Sequence, residues 1–234
     1  ENLSKENDKS KYSYVSNMQL NPNFIITKDG SHSLYVKEIN ETYHSIYGSL
    51  QESMHVFINN GIKSYSNKDI KILEVGFGTG LNTWLTLENH NNKIYYVALE
   101  PYPIKKEIYE NLNFHKITKS ENTNFLKLHN CKWERDIKIK TNFCFHKTKS
   151  KIEDFFTNTK FDIIYFDAFA PEKHPEIWSL KILRKCYNLL NDNGFLVTYC
   201  AKGIIKRRLK DIGFKLEILN GPIGKREMIR ANQK

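Results

Sequence analysis

A glycine-rich turn at residues 76–80 is the segment whose residue types best suit a bound ligand. It follows an apolar run that has Glu74 near its end, and a helical stretch begins directly after it. Glycines let the backbone pass close to a ligand, and the amides at a helix N-terminus favour an anionic group. The spacing is GxGxG, whereas a dinucleotide site of the GxGxxG type would need a glycine in place of Leu81. With Glu74 just before it, the turn favours S-adenosyl-L-methionine over a nicotinamide cofactor.

Two further acidic residues end predicted strands and complete the candidate cofactor site. Glu100 ends the second strand of the series, where such folds use a carboxylate to accept hydrogen bonds from both ribose hydroxyls. Asp167 ends the fourth strand at the same sheet edge, beside the methyl group to be transferred. The alternative for Glu100 is a solvated acid at a strand end, and the alternative for Asp167 is an aspartate that caps the following loop. The predicted cofactor-binding residues are Glu74, Gly76, Phe77, Gly78, Gly80, Asn82, Glu100, Pro101 and Asp167.

The elements that must position these residues are strands alternating with helices from residue 70 onward. Apolar runs predict strands at 71–75, 93–100, 142–146, 161–167 and 194–200. Helices are predicted at 81–89, 103–112, 175–190 and 203–212, and a hairpin at 214–220 and 225–231; residues 113–141 follow no clear pattern. Strands that are apolar throughout belong in a parallel sheet covered on both faces. We therefore predict an α/β, Rossmann-like fold of the class I S-adenosyl-L-methionine-dependent methyltransferase type, with a mostly parallel seven-stranded sheet and a C-terminal antiparallel hairpin.

The N-terminal region has a different pattern. Two short strand-like runs flank an Asp-Gly turn within residues 24–36, which predicts a β-hairpin. An apolar stripe at helical spacing within residues 45–60 then predicts a helix that ends at Asn59-Asn60-Gly61. We predict that residues 1–60 form a small extension, a candidate lid over the site, and that residues 61–234 form the methyltransferase domain.

The charge of the chain indicates a polyanionic partner. Lys and Arg number 36 against 26 Asp and Glu, and ten basic but only three acidic residues lie between Lys202 and Lys234. Basic residues concentrated in one segment suit phosphate neutralisation, although a solvated helix face is the alternative. The candidate phosphate-binding residues are Lys202, Arg207, Arg208, Lys225 and Arg226.

The remaining composition excludes other classes of protein. The four cysteines show no CxxC pair or Cys/His spacing typical of a metal site, so we predict no metal. No apolar run approaches the roughly 20 residues of a membrane-spanning helix, and the first residues lack the apolar core of a secretory signal. We expect a cytoplasmic protein without membrane association.

Four segments together resemble one known family. They are YHSIYGSLQESMHVFI at 43–58, LEVGFGTGLN at 73–82, DAFAPEKHPEIW at 167–178 and GPIGKREM at 221–228. In this order they are similar to the bacterial tRNA 5-aminomethyl-2-thiouridine methyltransferases, which comprise the methyltransferase half of MnmC and its stand-alone relatives. The resemblance runs from about Phe24 to Ala231. The DAFAP segment also differs from the (D/N)PPY motif of many amine methyltransferases, which disfavours a generic adenine methylase.

The resemblance implies a specific reaction. The family uses S-adenosyl-L-methionine to methylate the primary amine of 5-aminomethyl-(2-thio)uridine at the wobble position of tRNA, so the anticodon stem-loop is the expected partner. Asp167 is the expected catalytic residue, because a carboxylate can align the amine and stabilise the charge that develops on nitrogen. Substrate contacts are expected from Tyr43, His44, Gln51, Phe169 and Pro171, with the basic residues Lys202, Arg207, Arg208, Lys225 and Arg226; His44 fits a structural role equally well.

Two features limit what the resemblance implies. Bifunctional members carry a C-terminal flavin domain, which we expect this chain to lack together with FAD. Relatives usually carry a Gly-Asp near the third strand for the adenine, whereas residues 145–156 contain none, so backbone groups near Ser150 and Ile152 are expected to serve. An aminopropyltransferase, another class I methyltransferase and a non-catalytic RNA-binding module remain alternatives; the glycine turn with Glu100 and Asp167 argues against the last.

Overall fold

The computed structural model describes residues 21–66 and 69–233, so the first twenty residues of the predicted extension lie outside it. A three-stranded antiparallel sheet comes first, formed by β1 (Asn23–Ile26), β2 (His32–Val36) and β3 (Glu41–Thr42). The predicted hairpin is therefore present, with β3 as an additional strand. A helical segment follows, α1 (Ser49–Ser53), which continues as a π-helix over Met54–Asn59; a 3₁₀ turn spans Ile62–Ser64.

The second sheet is the framework of the molecule. Its strands are β4 (Asp69–Val75), β5 (Lys93–Leu99), β6 (Asp136–Lys140), β7 (Phe143–Thr148), β8 (Phe161–Phe166), β9 (Leu190–Thr198), β10 (Lys215–Asn220) and β11 (Glu227–Asn232), in the spatial order β10-β11-β9-β8-β4-β5-β7-β6. The α-helices that follow α1 are α2 (Leu81–Asn89), α3 (Lys106–Tyr109), α4 (Phe114–Thr118), α5 (Thr123–Asn130), α6 (Leu180–Leu189) and α7 (Gly203–Ile212). A 3₁₀ turn at Pro175–Trp178 precedes α6.

The strand pairing confirms the predicted fold class and corrects the strand count. Strands β7, β5, β4, β8 and β9 pair in parallel, and β11 and β10 close the sheet as an antiparallel hairpin against β9. The eighth strand is β6, which pairs antiparallel with β7 at the far edge. It was not predicted because its residues, DIKIK, alternate exposed charges with apolar side chains and lie within the polar stretch that gave no pattern.

Two predicted helices are shorter than the sequence suggested. The stretch 103–112 forms helix only at Lys106–Tyr109. The stretch 175–190 divides at Ser179, whose extended backbone (φ −63°, ψ 156°) ends the 3₁₀ turn and begins α6. The Ser179 hydroxyl accepts a hydrogen bond from the amide of Ile182, so this residue is an N-cap, not a helix interior position.

The topology places the ends of three adjacent strands at one opening. The order changes direction at β4, which lies between β5 and β8, and ligands in open α/β sheets bind at such a switch point. The glycine turn follows β4, Glu100 follows β5 and Asp167 follows β8. In the described part of the chain, no helix has the length and apolar character needed to cross a membrane.

Candidate active site

A cavity of about 770 Å³ opens at the carboxyl ends of β4, β5 and β8. This volume lies within the range of small-molecule sites. Its walls come from the glycine turn, the ends of the three strands, residues 41–47 of the N-terminal region, residues 150–153 after β7, and Lys225 of the C-terminal hairpin.

The glycine turn is shaped by close approaches that exclude side chains. Gly76 has a φ of +96°, and a Cβ there would lie 2.5 Å from the carbonyl oxygen of Asp167. Gly78 has a φ of +50°, and a Cβ there would lie 3.1 Å from Cδ1 of Tyr43. These positive φ values are readily adopted only by glycine. The turn therefore presents bare backbone to the cavity.

Glu100 is held rigidly in the cavity wall. One carboxylate oxygen accepts a hydrogen bond from the amide of Gly78 at 2.7 Å, and the other accepts one from the amide of Tyr102 at 2.9 Å. Burial raises the pKa of this carboxyl, and the two amide hydrogen bonds oppose that effect. Each oxygen retains a further lone pair, because a carboxylate accepts about four hydrogen bonds. The geometry suits a vicinal diol such as a ribose.

Asp167 is the central carboxylate of the cavity. Its Oδ2 accepts a hydrogen bond from the side-chain amide of Asn82 at 2.7 Å. Burial raises its pKa to about 7, with a contribution from the negative charge of Glu52; the Asn82 hydrogen bond and the positive charge of Lys225 act in the opposite direction. A group with a pKa near neutrality can exchange a proton at neutral pH.

Glu52 is a second carboxylate in the same cavity, and the sequence reasoning did not select it. It is buried in α1; its Oε1 forms an ion pair with Lys225, and its Oε2 accepts a hydrogen bond from the amide of Ser45 at 2.8 Å. The Lys225 ammonium also lies 4.4 Å from the ring centroid of Tyr199, another cavity residue that was not predicted. The only signal in the sequence is an acidic residue next to Gln51 within the segment that carries the resemblance.

The N-terminal region forms one wall of the cavity. His44 is buried, and its Nε2 lies 2.6 Å from the hydroxyl of Thr79 in the glycine turn. Burial lowers the pKa of His44 to about 4, so the imidazole is neutral at physiological pH. The ring of Tyr43 packs edge-on against Phe169, with 5.3 Å between the centroids. These contacts join the N-terminal region to loops after β4 and β8; a lid function for it stays a prediction.

Eleven of the predicted site residues line the cavity: Gly76, Phe77, Gly78, Glu100, Pro101, Asp167, Tyr43, His44, Phe169, Lys202 and Lys225. Ser150 and Ile152, expected near the adenine, line it as well. The remaining predicted residues lie outside the lining: Glu74, Gly80, Asn82, Gln51, Pro171, Arg207, Arg208 and Arg226.

Three residues outside the lining support the cavity from behind. Asn82 orients Asp167 through the hydrogen bond to Oδ2. Glu74 is fully buried and accepts a hydrogen bond from Thr83 at 2.7 Å. A Cβ on Gly80 would lie 2.7 Å from Nε2 of His129, which packs beneath the turn. Each of these positions therefore shapes the site without facing the cavity.

The basic residues of the C-terminal segment are mostly engaged within the protein. Lys202 pairs with Glu172, Lys206 with Glu227, and Lys225 with Glu52. The guanidinium of Arg208 donates to the carbonyl oxygen of Trp178 at 2.8 Å. Arg207 and Arg226 are exposed, and neither forms an ion pair with another described residue.

The switch-point cavity, the GxGxG turn and the strand-end carboxylates Glu100 and Asp167 indicate the class I methyltransferase type of fold and site. A family model described as S-adenosyl-L-methionine-dependent methyltransferase matches residues 111–234, more than half of the chain. The chain belongs to this family.

Named relatives share sequence similarity with this chain, and solved structures share its fold. The chain is 30% identical over 209 residues to the tRNA 5-methylaminomethyl-2-thiouridine biosynthesis bifunctional protein MnmC of Campylobacter hominis, covering 82% of this chain and 30% of that protein. It spans about a third of the length of the curated relatives it matches. The structure of MNMC2 from Aquifex aeolicus superposes with a TM-score of 0.76 at 23% identity, over 99% of this chain and 81% of that one. Spermidine synthase from Thermotoga maritima shares the fold less closely, with a TM-score of 0.59 at 14% identity over 91% of this chain and 69% of that one.

The cofactor of the protein is S-adenosyl-L-methionine, and the cavity fits it. Glu100 can accept hydrogen bonds from ribose hydroxyls, and the glycines of the turn at residues 76–80 leave room for the ligand next to the protein backbone. Ser150 and Ile152 line the side of the cavity next to β7. Asp167 and Glu52 lie where an electron-deficient or cationic group would be stabilised.

Proposed function

We propose that this protein methylates the primary amine of 5-aminomethyl-(2-thio)uridine at the wobble position of tRNA. The observation that carries the proposal is the pair of carboxylates, Asp167 and Glu52, in one cavity beside the cofactor turn. A substrate that binds as an ammonium needs carboxylate partners, whereas an aromatic ring nitrogen or a hydroxyl does not. The relatives' name supports the same substrate, since it refers to biosynthesis of a methylaminomethyl nucleoside in tRNA.

The chemistry requires a neutral amine. S-adenosyl-L-methionine supplies an electrophilic methyl group on a positively charged sulfur, and an ammonium has no lone pair with which to accept it. Asp167 is suited to take the proton from the amine nitrogen. With a pKa of about 7, much of its carboxyl group is ionised at neutral pH, and the carboxylate is a stronger base than that of an ordinary aspartate. Its carboxylate then stabilises the positive charge that returns to nitrogen as the new N–C bond forms.

Glu52 has a complementary role in this proposal. Its carboxylate pairs with Lys225 and lines the same cavity as Asp167. It favours entry of a cationic aminomethyl group into the cavity, and Lys225 keeps the two carboxylates from repelling each other fully. Asn82 fixes one oxygen of Asp167, which leaves the other for the substrate. We expect Tyr43 and Phe169 to contact the uracil ring, because their rings border the same cavity.

The test is nucleoside mass spectrometry of tRNA that carries 5-aminomethyl-2-thiouridine, before and after incubation with the protein and S-adenosyl-L-methionine. We expect the aminomethyl nucleoside to disappear and a product with one additional methyl group to appear in equal amount. Methylation of a different nucleoside would reject the substrate, and transfer of an aminopropyl group from decarboxylated S-adenosyl-L-methionine would assign the protein to the other activity that shares this fold. A parallel tRNA sample without the aminomethyl group serves as the control.

A further inference from the structure

A second feature of the surface lies away from the cavity, where no residue was predicted to function. A depression of about 540 Å³ is formed by residues 157–160 before β8 and by the exposed face of α6. Four of its lining residues are cations, Lys160, Lys181, Arg184 and Lys185, and none is acidic. The acids nearest to its lining residues in sequence, Asp154, Asp162 and Asp192, are not part of the lining.

The cations of this depression keep hydrogen-bond donors for a partner: the ammonium groups of Lys160 and Lys185 each donate to one carbonyl oxygen, of Asn188 and Glu153 respectively, and an ammonium has three donors. In the described part of the chain none of the four forms an ion pair, whereas Lys202, Lys206 and Lys225 of the C-terminal segment all do. Lys181 and Arg184 are exposed and lie three residues apart on α6, so they share one helix face. The opposite face of α6 is buried through Ile182, Leu183 and Cys186, which fixes the cationic face outward.

An exposed aromatic ring lies beside one of these cations, Lys185. Phe156 is 87% exposed, the largest exposed fraction among the large hydrophobic residues described. The Lys185 ammonium lies 4.7 Å from the centroid of its ring and also donates to the carbonyl oxygen of Glu153 at 2.8 Å. A ring held beside a cation and open to solvent is an arrangement that proteins use to stack a base next to a bound phosphate backbone.

We infer that the α6 face and Phe156 form an RNA-binding surface, in which Lys160, Lys181, Arg184 and Lys185 hold phosphates and Phe156 stacks on a base. Its position supports the same partner: Glu153 lines the catalytic cavity, and Phe156 follows three residues later, at most about 10 Å of chain away. A strand that places one nucleotide in the cavity therefore reaches this surface with its neighbours. In naming that strand as tRNA, the inference rests on the proposed function.

Binding of a fluorescein-labelled, unmodified tRNA transcript tests the surface, with affinity measured at several salt concentrations between about 50 and 200 mM. Lys181→Gln with Arg184→Gln should flatten the slope of log affinity against log salt by about 1.4 to 1.8, since each phosphate that is no longer neutralised lowers it by about 0.7 to 0.9. The matched control is Lys132→Gln with Lys138→Gln, which removes two exposed positive charges at the β6 edge of the sheet. The control should keep the wild-type slope to within about 0.3.

Phe156 is tested in the same assay by two substitutions. Phe156→Leu should weaken tRNA binding by about 5- to 100-fold with little change in the salt slope, because stacking is lost and no charge is removed. Phe156→Trp should retain or increase the affinity. Thermal unfolding and S-adenosyl-L-methionine affinity should stay at wild-type values in all these variants, which excludes misfolding as the cause.

The outcomes separate this inference from the proposed function. If the protein binds tRNA through this surface but does not methylate tRNA that carries 5-aminomethyl-2-thiouridine, the surface stands and the proposed function falls. If the protein methylates tRNA but the Lys181/Arg184 variant matches its control, the surface alone is rejected. Absence of tRNA binding would also overturn the inference. The inference is also overturned if the Lys181/Arg184 variant loses binding to phosphatidylglycerol-containing vesicles and keeps wild-type binding to tRNA, because the surface would then bind lipid and not RNA.

Discussion

Asp167 combines two properties that a proton acceptor for an amine requires, a fixed position and a pKa near neutrality. Asp167→Asn preserves the shape and removes the charge, so we expect kcat to fall by about 10²- to 10⁴-fold with S-adenosyl-L-methionine affinity nearly unchanged. Wild-type kcat should rise with pH through about 7, as the carboxylate loses its proton, and the variant should lack this rise. Asp192→Asn, a substitution at an exposed position near the start of β9, is the control. Normal turnover by Asp167→Asn would remove the carboxylate from the mechanism.

Glu74 is an acid buried in the core behind the cavity, where ionisation of its carboxyl group is unfavourable. Burial and the nearby charge of Asp167 raise its pKa from 4.5 to about 8, although hydrogen bonds from neighbouring side chains, that of Thr83 above all, act in the opposite direction. An acid with a raised pKa in the folded state binds a proton more tightly there than in the unfolded chain. Its contribution to stability is therefore complete below pH 4.5 and is lost as the pH rises to 8, by about 1.4 kcal/mol for each pH unit.

Glu74→Gln should remove this dependence. We expect the variant to gain thermal stability relative to wild type as the pH increases from 5 to 8, and the difference to stay constant above about 8. Thermal unfolding of the ligand-free protein across this range measures the effect. Parallel pH curves for the two proteins would mean that Glu74 is ionised in the fold.

At the scale of an element, the turn between β4 and α2 works through its backbone. Gly78→Val places a β-branched side chain at a φ of +50°, against the ring of Tyr43, and displaces the amide that holds Glu100. We expect binding of S-adenosyl-L-methionine, measured by calorimetry, to weaken by at least about 100-fold. The reason is that the Glu100 carboxylate, which we expect to bind the ribose, moves with the turn.

Gly213→Val provides the matched control for this prediction. Gly213 also has a positive φ, +117°, but it follows α7 and does not line the cavity, and a Cβ there would lie 3.8 Å from the hydroxyl oxygen of Tyr187. This control should lower thermal stability and leave cofactor affinity unchanged. If both variants lose cofactor equally, the effect is general strain and not the local geometry of the turn.

At the scale of the whole molecule, the basic residues of the C-terminal segment divide into exposed ones that can contact a partner and ones that stabilise the fold. Arg207 and Arg226 are exposed, whereas Arg208 donates to the carbonyl oxygen of Trp178. Arg207→Ala with Arg226→Ala should flatten the salt slope of tRNA affinity by about 0.7 to 0.9 for each phosphate that these side chains neutralise. Arg208→Ala should instead lower the melting temperature and leave the slope unchanged. A wild-type slope in the double variant would make this part of the C-terminal charge a solvated surface.

The sequence alone determined the features that depend on local pattern. The GxGxG turn after an apolar strand, with Glu100 and Asp167 ending later strands, indicated the fold class and cofactor, because strand and helix periodicity fix which side chains lie at the carboxyl edge of the sheet. Helices α2 and α7 were predicted with their observed bounds for the same reason. Strand β6 escaped prediction because an edge strand with alternating charges looks like a loop.

Only the tertiary structure decided which distant residues share the cavity. Glu52 lies in α1, Lys225 follows the turn of the C-terminal hairpin, and they are 173 positions apart in the chain, yet they form one ion pair beside Asp167. The sequence reasoning chose Gln51 instead, since one residue of helix rotates a side chain by about 100° and nothing local shows which face meets the sheet. Likewise, composition placed the free positive charge in the C-terminal segment. The fold pairs much of that charge internally and leaves the cations of α6 without acidic partners, because partners are chosen by packing between elements and not by position along the chain.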